Sequence, residues 1–246
     1  MQLLILAHTL DGGAQAVARA LAPILGQRLT VLPPEWLGQA SWSHRVDVQG
    51  HAHTRLSWHG GRVLDSDDIG WVWNRIRHLP QAAFRASTTS DRDYAGAELQ
   101  ALVSSWLAEL GERVAQPMRR HACVTPVLHH LHWVAAASRC GIPLAMDSGM
   151  PERFSVLCTP LELWGPGTPV WPASLASACH AMAEELGFAL LSVGFGGTPA
   201  APLLCRVEAH PALSLPGEQQ AVTRWLLHRF HSQTSAAAQT MPEVLA

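Results

Sequence analysis

The chain has 246 residues, is 48% hydrophobic and carries a formal net charge of -2, so it can bury the core of one large or two small domains. This charge balance provides no basic stripe for nucleic acid or an anionic membrane surface, and neither is an expected partner. All 17 basic residues are arginine. Chemistry that needs a phosphate-loop lysine, a Schiff-base lysine or a lysine general base is therefore excluded.

Membrane, secretion and disulfide signals are not found in the sequence. No apolar run reaches the roughly 20 residues of a membrane span, and residues 1–7 lack the basic region and cleavage site of a signal peptide. We expect a cytoplasmic protein. The five cysteines are too widely spaced for a zinc-binding pair or a disulfide framework, so we expect buried, reduced thiols at Cys123, Cys140, Cys158, Cys179 and Cys205.

The N-terminal residues predict a β-α-β unit with a parallel sheet. Residues 2–7 are almost continuously apolar, as in a buried parallel strand. Asp11-Gly12-Gly13 opens a helix that ends at Gly26, and residues 29–32 follow as a second strand. The two glycines lack the three-glycine spacing of a dinucleotide-binding loop, so they predict a tight turn.

Residues 41–65 tend to alternate between polar and apolar and predict short antiparallel strands joined by glycine turns. Asp65 and Asp67 then resemble the start of a calcium loop. Ile69 and Ile76, however, stand where such a loop needs oxygen ligands. We therefore predict a solvated turn here, and no metal site.

The segment 68–141 contains the clearest helix of the chain. After a strand at 68–75, a long helix is predicted from Asp91 to Gly111, with Ser90 as its N-cap. One face of this helix is apolar and needs a partner surface, which we predict to be a sheet. The residues of this face are Leu99, Leu102, Val103, Trp106, Leu107, Leu110 and Val114.

A second helix is predicted from Thr125-Pro126 to Cys140-Gly141. Its inward face is expected to consist of Leu128, Leu131, Val134 and Ala135. Gly141-Ile142-Pro143 ends this helix and begins another strand.

The C-terminal part predicts a smaller α+β domain. A helix at 174–186 precedes a hairpin of two strands, 188–195 and 203–208, which turns at Gly196 to Pro199, and a last helix covers 218–230. The proline- and glycine-rich residues 150–172 mark a domain boundary. The predicted division is therefore a first domain at 1–150, a second at 151–232 and a disordered tail at 233–246.

Several short motifs along this order of elements point to a family. They are Trp71-Val72-Trp73-Asn74-Arg75, Asp93-Tyr94-Ala95 with Glu98, Val114 to Pro117, Trp133 with Ala135-Ala136-Ala137, Gly141-Ile142-Pro143, Ala183-Glu184-Glu185-Leu186-Gly187 and Arg206-Val207-Glu208-Ala209-His210-Pro211. Together they resemble the ATP-grasp carboxylate-amine ligases, in particular the ribosomal-peptide ligases that carry a pre-ATP-grasp domain. The resemblance implies an α/β fold, with a parallel-sheet pre-ATP-grasp-like N-terminal domain and a small α+β remnant of an ATP-grasp domain.

The resemblance also implies a nucleotide site, and this sequence departs from it. In such ligases ATP lies between two α+β subdomains, lysines hold its phosphates, and a Glu-x-Asn segment near the end binds Mg²⁺. Here the connection 141–174 is too short for the nucleotide-holding subdomain, and there is no lysine. In one register of the closing segment Glu208 is kept and His210 replaces the Asn. In the other register Arg206 replaces the Glu, and its positive charge opposes Mg²⁺.

These departures favour a non-catalytic protein that acts as a binding or accessory subunit of a peptide-modifying system. Its partner would be a protein or a peptide, it would need no cofactor, and it could form a homodimer. One alternative is a minimal ATP- and Mg-dependent ligase in which Arg75, Arg77 and Arg206 bind phosphate. Glu208 would then be the metal ligand, with His210 beside it.

A second alternative is a metal site built from histidine. The chain contains 14 histidines, and His129 and His132 share one face of the second predicted helix, with His121 nearby. Trp133 is at least as well placed to lie over His129, so a half-exposed helix is the preferred interpretation.

Trp71 and Trp73 point to one side of their strand and are followed by Arg75, which would suit a peptide-binding face, although core packing is preferred. No hydrolase motif is present. No catalytic residue is therefore predicted. The tentative ligand-binding residues are Trp71, Trp73, Asn74, Arg75, Arg77, Arg206, Glu208 and His210.

Overall fold

The computed structural model describes residues 1–50, 52–79, 88–115, 128–145, 150–167 and 171–239. The predicted helix start at Thr125-Pro126, the end of the Val114 to Pro117 motif, His121 and Cys123 lie outside these residues. The chain divides into two compact units: Met1–Thr125 with Leu226–Ala246, and Pro126–Trp225. The sequence placed its boundary at 150 instead, within the proline- and glycine-rich stretch.

The first unit begins with the predicted β-α-β arrangement and continues through a small antiparallel sheet to a long helix. Its elements are β1 (Gln2–Leu6), α1 (Gly12–Leu25), β2 (Leu29–Leu32), α2 (Pro34–Leu37), β3 (Ser41–Val46), β4 (Ala52–Ser57), β5 (Val63–Asp65), β6 (Ile69–Asn74) and α3 (Thr89–Leu110). The parallel sheet has the order β2-β1-β6, and the antiparallel sheet has the order β3-β4-β5. Both sheets confirm the sequence prediction.

Local interactions explain where α1 starts and ends. The Asp11 carboxylate accepts a hydrogen bond from the backbone N–H of Ala14 at 2.9 Å, which satisfies a donor of the first turn. Gly26 ends the helix with a φ of 54°, a conformation that favours glycine. The turn predicted at Gly12-Gly13 is therefore the first turn of the capped helix.

The apolar face of α3 packs on both sheets, as predicted. Trp106 is fully buried and meets the ring of Trp42 edge-on, with ring centroids 5.6 Å apart. The same core cluster includes Leu4 and Val72 of the parallel sheet. The helix starts earlier than predicted, because the Thr88 hydroxyl, and not Ser90, accepts from the Asp91 N–H.

The second unit is built on one antiparallel sheet of order β10-β9-β7-β8. Its elements are α4 (His130–Arg139), β7 (Phe154–Cys158), β8 (Leu163–Trp164), α5 (Ala173–Leu186), β9 (Leu191–Thr198), β10 (Ala201–Glu208) and the first part of α6 (Pro216–Gln239). The hairpin turns after Thr198, later than predicted, because Gly197 pairs with Pro202 inside the ladder. Of the strand predicted from Gly141, the described residues 141–145 form one bridge, between Leu144 and Leu204.

Two helix predictions need correction. The inward face of α4 consists of Trp133, Ala136 and Ala137. Of the residues predicted for it, Leu128 and Val134 are partly buried against the same core cluster, whereas Leu131 is 66% exposed. The last helix, α6, continues beyond Phe230 to Gln239. Residues 233–239, which the sequence assigned to a disordered tail, are therefore helical.

The thiols follow the prediction in part. Cys158 and Cys179 are free and buried, and burial raises the pKa of both, that of Cys179 to about 12. Cys140 and Cys205 are free and only half-buried. Among the described residues, no helix is both long and apolar enough to cross a bilayer.

Replacing Trp106 by alanine should destabilise the first unit strongly. The substitution removes a fully buried ring and leaves a cavity, which costs about 3–5 kcal/mol. Tyr94→Ala on the same helix is the matched control, since Tyr94 is 68% exposed. Urea denaturation followed by circular dichroism measures both variants, and equal midpoints would contradict the packing described here.

Candidate functional site

The tentative ligand-binding residues fall into two groups, one in each unit. Trp71, Trp73, Asn74, Arg75 and Arg77 lie in the first unit at the end of β6. Arg206, Glu208 and His210 lie in the second unit at the end of β10. The roles of both groups in ligand binding stay predictions.

Both tryptophans of β6 are buried in contact with arginine side chains. Trp71 is 2% exposed and Trp73 is fully buried. The Arg229 guanidinium lies 4.7 Å from the Trp71 ring centroid, and that of Arg75 lies 5.2 Å from the Trp73 ring. Each ring therefore has a cation at its face from within the protein, which is the core-packed arrangement preferred from the sequence.

Arg75 forms a buried ion pair with Asp11. Its Nε donates to Asp11 Oδ2 at 2.7 Å and its Nη2 donates to Oδ1 at 3.2 Å. The Arg75 side chain is 3% exposed and that of Asp11 is 14% exposed. The backbone N–H of Arg75 also donates to the carbonyl of Leu6, which fixes the residue at the carboxyl edge of the parallel sheet. The aspartate occupies the Nε and Nη2 edge of the guanidinium that a phosphate would use for a two-bond contact.

The neighbouring residues differ in exposure. Asn74 is 3% exposed, and its side-chain oxygen accepts from the N–H of Ile76 at 3.0 Å. Arg77 is exposed. Of these side chains, Arg77 is the one that solvent reaches freely.

Sequence reasoning missed a polar cluster at the same edge of the sheet. His8 follows β1, Glu35 begins α2 after β2, and His78 follows β6. The His8 ring bonds Glu35 through Nδ1 at 3.2 Å and the carbonyl of His78 through Nε2 at 3.1 Å, and the two imidazoles stack at 4.4 Å. Polar residues directly after parallel strands are the signal that could have identified them.

In the second unit, Arg206 lies between two carboxylates. Its Nε and Nη2 donate to Glu152 at 2.8 and 3.2 Å, and its Nη1 donates to Glu208 Oε2 at 2.8 Å. Glu152 was not among the predicted site residues because it lies far from Arg206 in sequence. Gly194 pairs with Arg206 in the sheet, and a Cβ at that position would collide with the Glu152 carboxylate. The glycine therefore provides the space in which this pair forms.

Arg206, Glu152 and Glu208 form an ion-paired cluster. Hydrogen bonding to Glu152, with smaller contributions from Glu208, raises the pKa of Arg206 although partial burial opposes this. Glu208 is the carboxylate that one register assigned to Mg²⁺, and it accepts from the guanidinium instead. His210 is half-buried and has an interaction partner of its own. The arrangement does not fit a magnesium site.

Among the described residues, which do not include His121, the pair of His129 and His132 belongs to no group of three potential metal ligands. His129 and His132 have ring centroids 5.8 Å apart. Trp133 contacts His130, at 4.6 Å, and not His129 as expected. Within the part of the chain that the structure describes, the one group of three potential metal ligands excludes all of these residues.

Comparison with known proteins relates this fold to peptide ligases. No protein-family model and no curated protein matches the chain. Among solved structures, the macrocyclase MdnC bound with precursor peptide MdnA from Microcystis aeruginosa MRC matches with a TM-score of 0.71 and 10% identity, over 93% of this chain and 100% of that one.

Two further ligases match at a similar level. The RiPP-associated ATP-grasp ligase of Chryseobacterium gregarium, in complex with ADP and a leader and core peptide, has a TM-score of 0.64 and 8% identity over 98% of both chains. The ATP-grasp ligase PsnB, complexed with minimal precursor, Mg and ADP, has a TM-score of 0.64 and 11% identity over 93% of this chain and 98% of that one. The chain has the fold of these ATP-grasp peptide ligases, and the predicted resemblance is confirmed at the level of the fold.

The charge of Asp11 should contribute to stability separately from its capping role. Asp11→Asn keeps a good N-cap but leaves Arg75 without its carboxylate, so we expect a loss of about 3 kcal/mol in the free energy of unfolding. Asp93→Asn, at an exposed position of α3, is the control. The measurement is urea denaturation of both variants at neutral pH. A stability of Asp11→Asn equal to the control would show that the ion pair contributes nothing.

Proposed function

We propose that this chain binds a peptide without using ATP, as an accessory subunit of a peptide-modifying system. The fold supports the general class, because the solved ligases that share it include complexes with precursor peptides. The chemistry supports the absence of catalysis. The observation that carries the proposal is the pairing of Arg206 with Glu208.

This pairing opposes magnesium binding in two ways. A carboxylate that binds Mg²⁺ needs free oxygen lone pairs directed at the ion, and Glu208 directs one oxygen at the Arg206 guanidinium. The guanidinium is also a permanent positive charge next to the place where a dication would lie, and it is held there by Glu152 as well. Mg²⁺ would have to break both contacts and then tolerate the displaced cation.

Phosphate binding is opposed for similar reasons. The sequence offers no lysine, and arginine is the remaining cation that binds phosphate well. Arg75 is committed to Asp11 in a buried pair, and Arg206 is committed to two carboxylates. Of the arginines proposed for a minimal ligase, Arg75 is buried, whereas Arg77 and Arg206 are exposed.

The connection between α4 and α5 does not carry the proposal. In its described residues this connection contains β7 and β8 and no helix, where an ATP-grasp ligase is expected to have its nucleotide-holding subdomain. The match to the solved ligases extends over 98–100% of their chains. The proposal therefore rests on the neutralised nucleotide contacts, and truncation is secondary to them.

Calorimetric titration with Mg-ATP tests the absence of nucleotide binding. We expect no binding heat at high micromolar nucleotide for the unmodified chain, Glu208→Ala or Arg206→Ala. A micromolar site in the unmodified chain that is lost in Glu208→Ala would contradict the proposal. It would support the alternative, a minimal ATP-dependent ligase that uses arginine in place of lysine.

The positive half of the proposal needs a peptide probe. Selection from a random peptide display library against the immobilised chain should enrich a sequence, and fluorescence anisotropy of that synthetic peptide should then saturate, with the same affinity whether or not Mg-ATP is present. Absence of enrichment, or binding that requires Mg-ATP, would contradict an accessory role.

A further inference from the structure

Three potential metal ligands meet on the small antiparallel sheet of the first unit, away from the residues discussed above. They are His53 on β4, Asp65 at the end of β5 and Asp67 in the turn that follows. The ligand atoms all lie within 4.8 Å of one another. His53 Nε2 is 2.9 Å from Asp65 Oδ1 and 3.6 Å from Asp67 Oδ2.

Strand pairing places these side chains on one face. Asp65 lies opposite Arg55 in the β4–β5 ladder, and alternation along β4 directs His53 to the same solvent face as Arg55 while Thr54 points into the core. Asp65 Oδ1 also accepts from the N–H of Asp67 at 3.1 Å. The imidazole and both carboxylates are therefore brought together by the backbone of the strands and the turn.

Hydrogen bonds to buried groups hold the turn that carries the two aspartates. Ser66 is buried. Its hydroxyl donates to the Thr54 carbonyl at 2.8 Å and accepts from the Thr54 N–H at 3.0 Å. Arg113 donates to the carbonyls of Ser66 and Ile69 at 2.9 and 3.0 Å. Supporting contacts of this kind hold ligands in place and strengthen metal sites.

We propose that His53, Asp65 and Asp67 bind a divalent first-row transition ion of the Zn²⁺ type through one imidazole nitrogen and two carboxylate oxygens. A nitrogen donor beside carboxylates suits Zn²⁺ or Co²⁺ better than Ca²⁺ or Mg²⁺, which prefer oxygen ligands. Bonds of about 2.0–2.2 Å to a tetrahedral ion place ligand atoms about 3.3–3.6 Å apart, and His53 Nε2 lies 2.9 and 3.6 Å from the two carboxylate oxygens. Water completes the coordination on the exposed side.

Strand pairing also places the guanidinium-bearing residue Arg55 opposite Asp65. Arg55 is the cation that opposes a bound metal ion. The site does not depend on peptide binding or on the nucleotide argument, since none of its residues takes part in either.

The sequence alone gave a different interpretation of the same residues. Asp65 and Asp67 were compared with a calcium loop, in which all ligands come from one continuous segment. The third donor, His53, is supplied by the neighbouring strand, so spacing along the chain could not reveal it.

Calorimetric titration with Zn²⁺, and with Co²⁺ followed by visible absorption, tests the proposal on the full chain, purified without a histidine tag and treated with a chelator. We expect one equivalent to bind at micromolar concentration or tighter. His53→Ala and Asp67→Asn should each weaken it at least tenfold and reduce the Co²⁺ absorption, whereas the exposed control His59→Ala should not. The double variant His129→Ala with His132→Ala should also keep the site.

A further variant tests the electrostatics. Arg55→Ala removes a positive charge next to Asp65 without removing a ligand, so we expect it to raise Zn²⁺ affinity severalfold, more at low salt than at high salt. His53 and Asp67 are exposed, so their variants should fold, which circular dichroism checks. Unchanged Zn²⁺ binding in both His53→Ala and Asp67→Asn would overturn the proposal and leave the cluster as a surface ion pair.

Discussion

The buried pair between Arg75 and Asp11 is the constraint on which the first unit depends. Asp11 caps α1 through one interaction and binds Arg75 through another. Arg75 is fixed to β1 by its own backbone N–H. One carboxylate therefore connects the start of α1 to the carboxyl end of β6, across the sheet on which the unit is built. Because the guanidinium is 3% exposed, it could not remain there without a partner.

Because the chain has no lysine, arginine forms its ion pairs in both units. Arginine presents a planar fork that can hold a carboxylate with two bonds, whereas lysine offers a point charge on a flexible stem. The same use of arginine recurs in the second unit, where Arg206 bridges two glutamates and Arg224 binds Glu162 through both Nε and Nη2. Several of the arginines that could bind the phosphates of a nucleotide are thus already paired with carboxylates of the protein. This connects a compositional fact to the proposed loss of ATP chemistry.

Periodic segments could be predicted from the sequence, and contacts between distant segments could not. The strands of the parallel sheet and the stripe of α3 follow from alternation and helical spacing, which are local properties. The face of α4 was predicted only in part, because its aliphatic residues were counted and Trp133, the largest side chain, was not. The end of α6 was placed too early because a polar, alanine-rich segment can be helical or unstructured.

In the candidate sites, too, the contacts between distant segments could not be predicted from the sequence. Arg206 and Glu208 were identified because they lie in one motif. Glu152, which accepts hydrogen bonds from Arg206, lies on the other side of β9 and was not identified. Asp11 was identified at the start of a helix and Arg75 as a tentative ligand-binding residue, but their pairing was not predicted. Ionic partners depend on which strands are neighbours, so they require the fold.

The absence of a side chain at Gly194 allows Glu152 to pair with Arg206. The glycine is in the central position of the sheet, paired with Arg206 on one side and Ser155 on the other. Any side chain there would push the Glu152 carboxylate away and release one partner of the guanidinium. The sheet therefore accommodates a carboxylate at the place where it neutralises Arg206. Exchanging Arg206 for a carboxylate would remove the cation that opposes Mg²⁺, but the chain would still lack the lysines that hold the phosphates of ATP in such ligases.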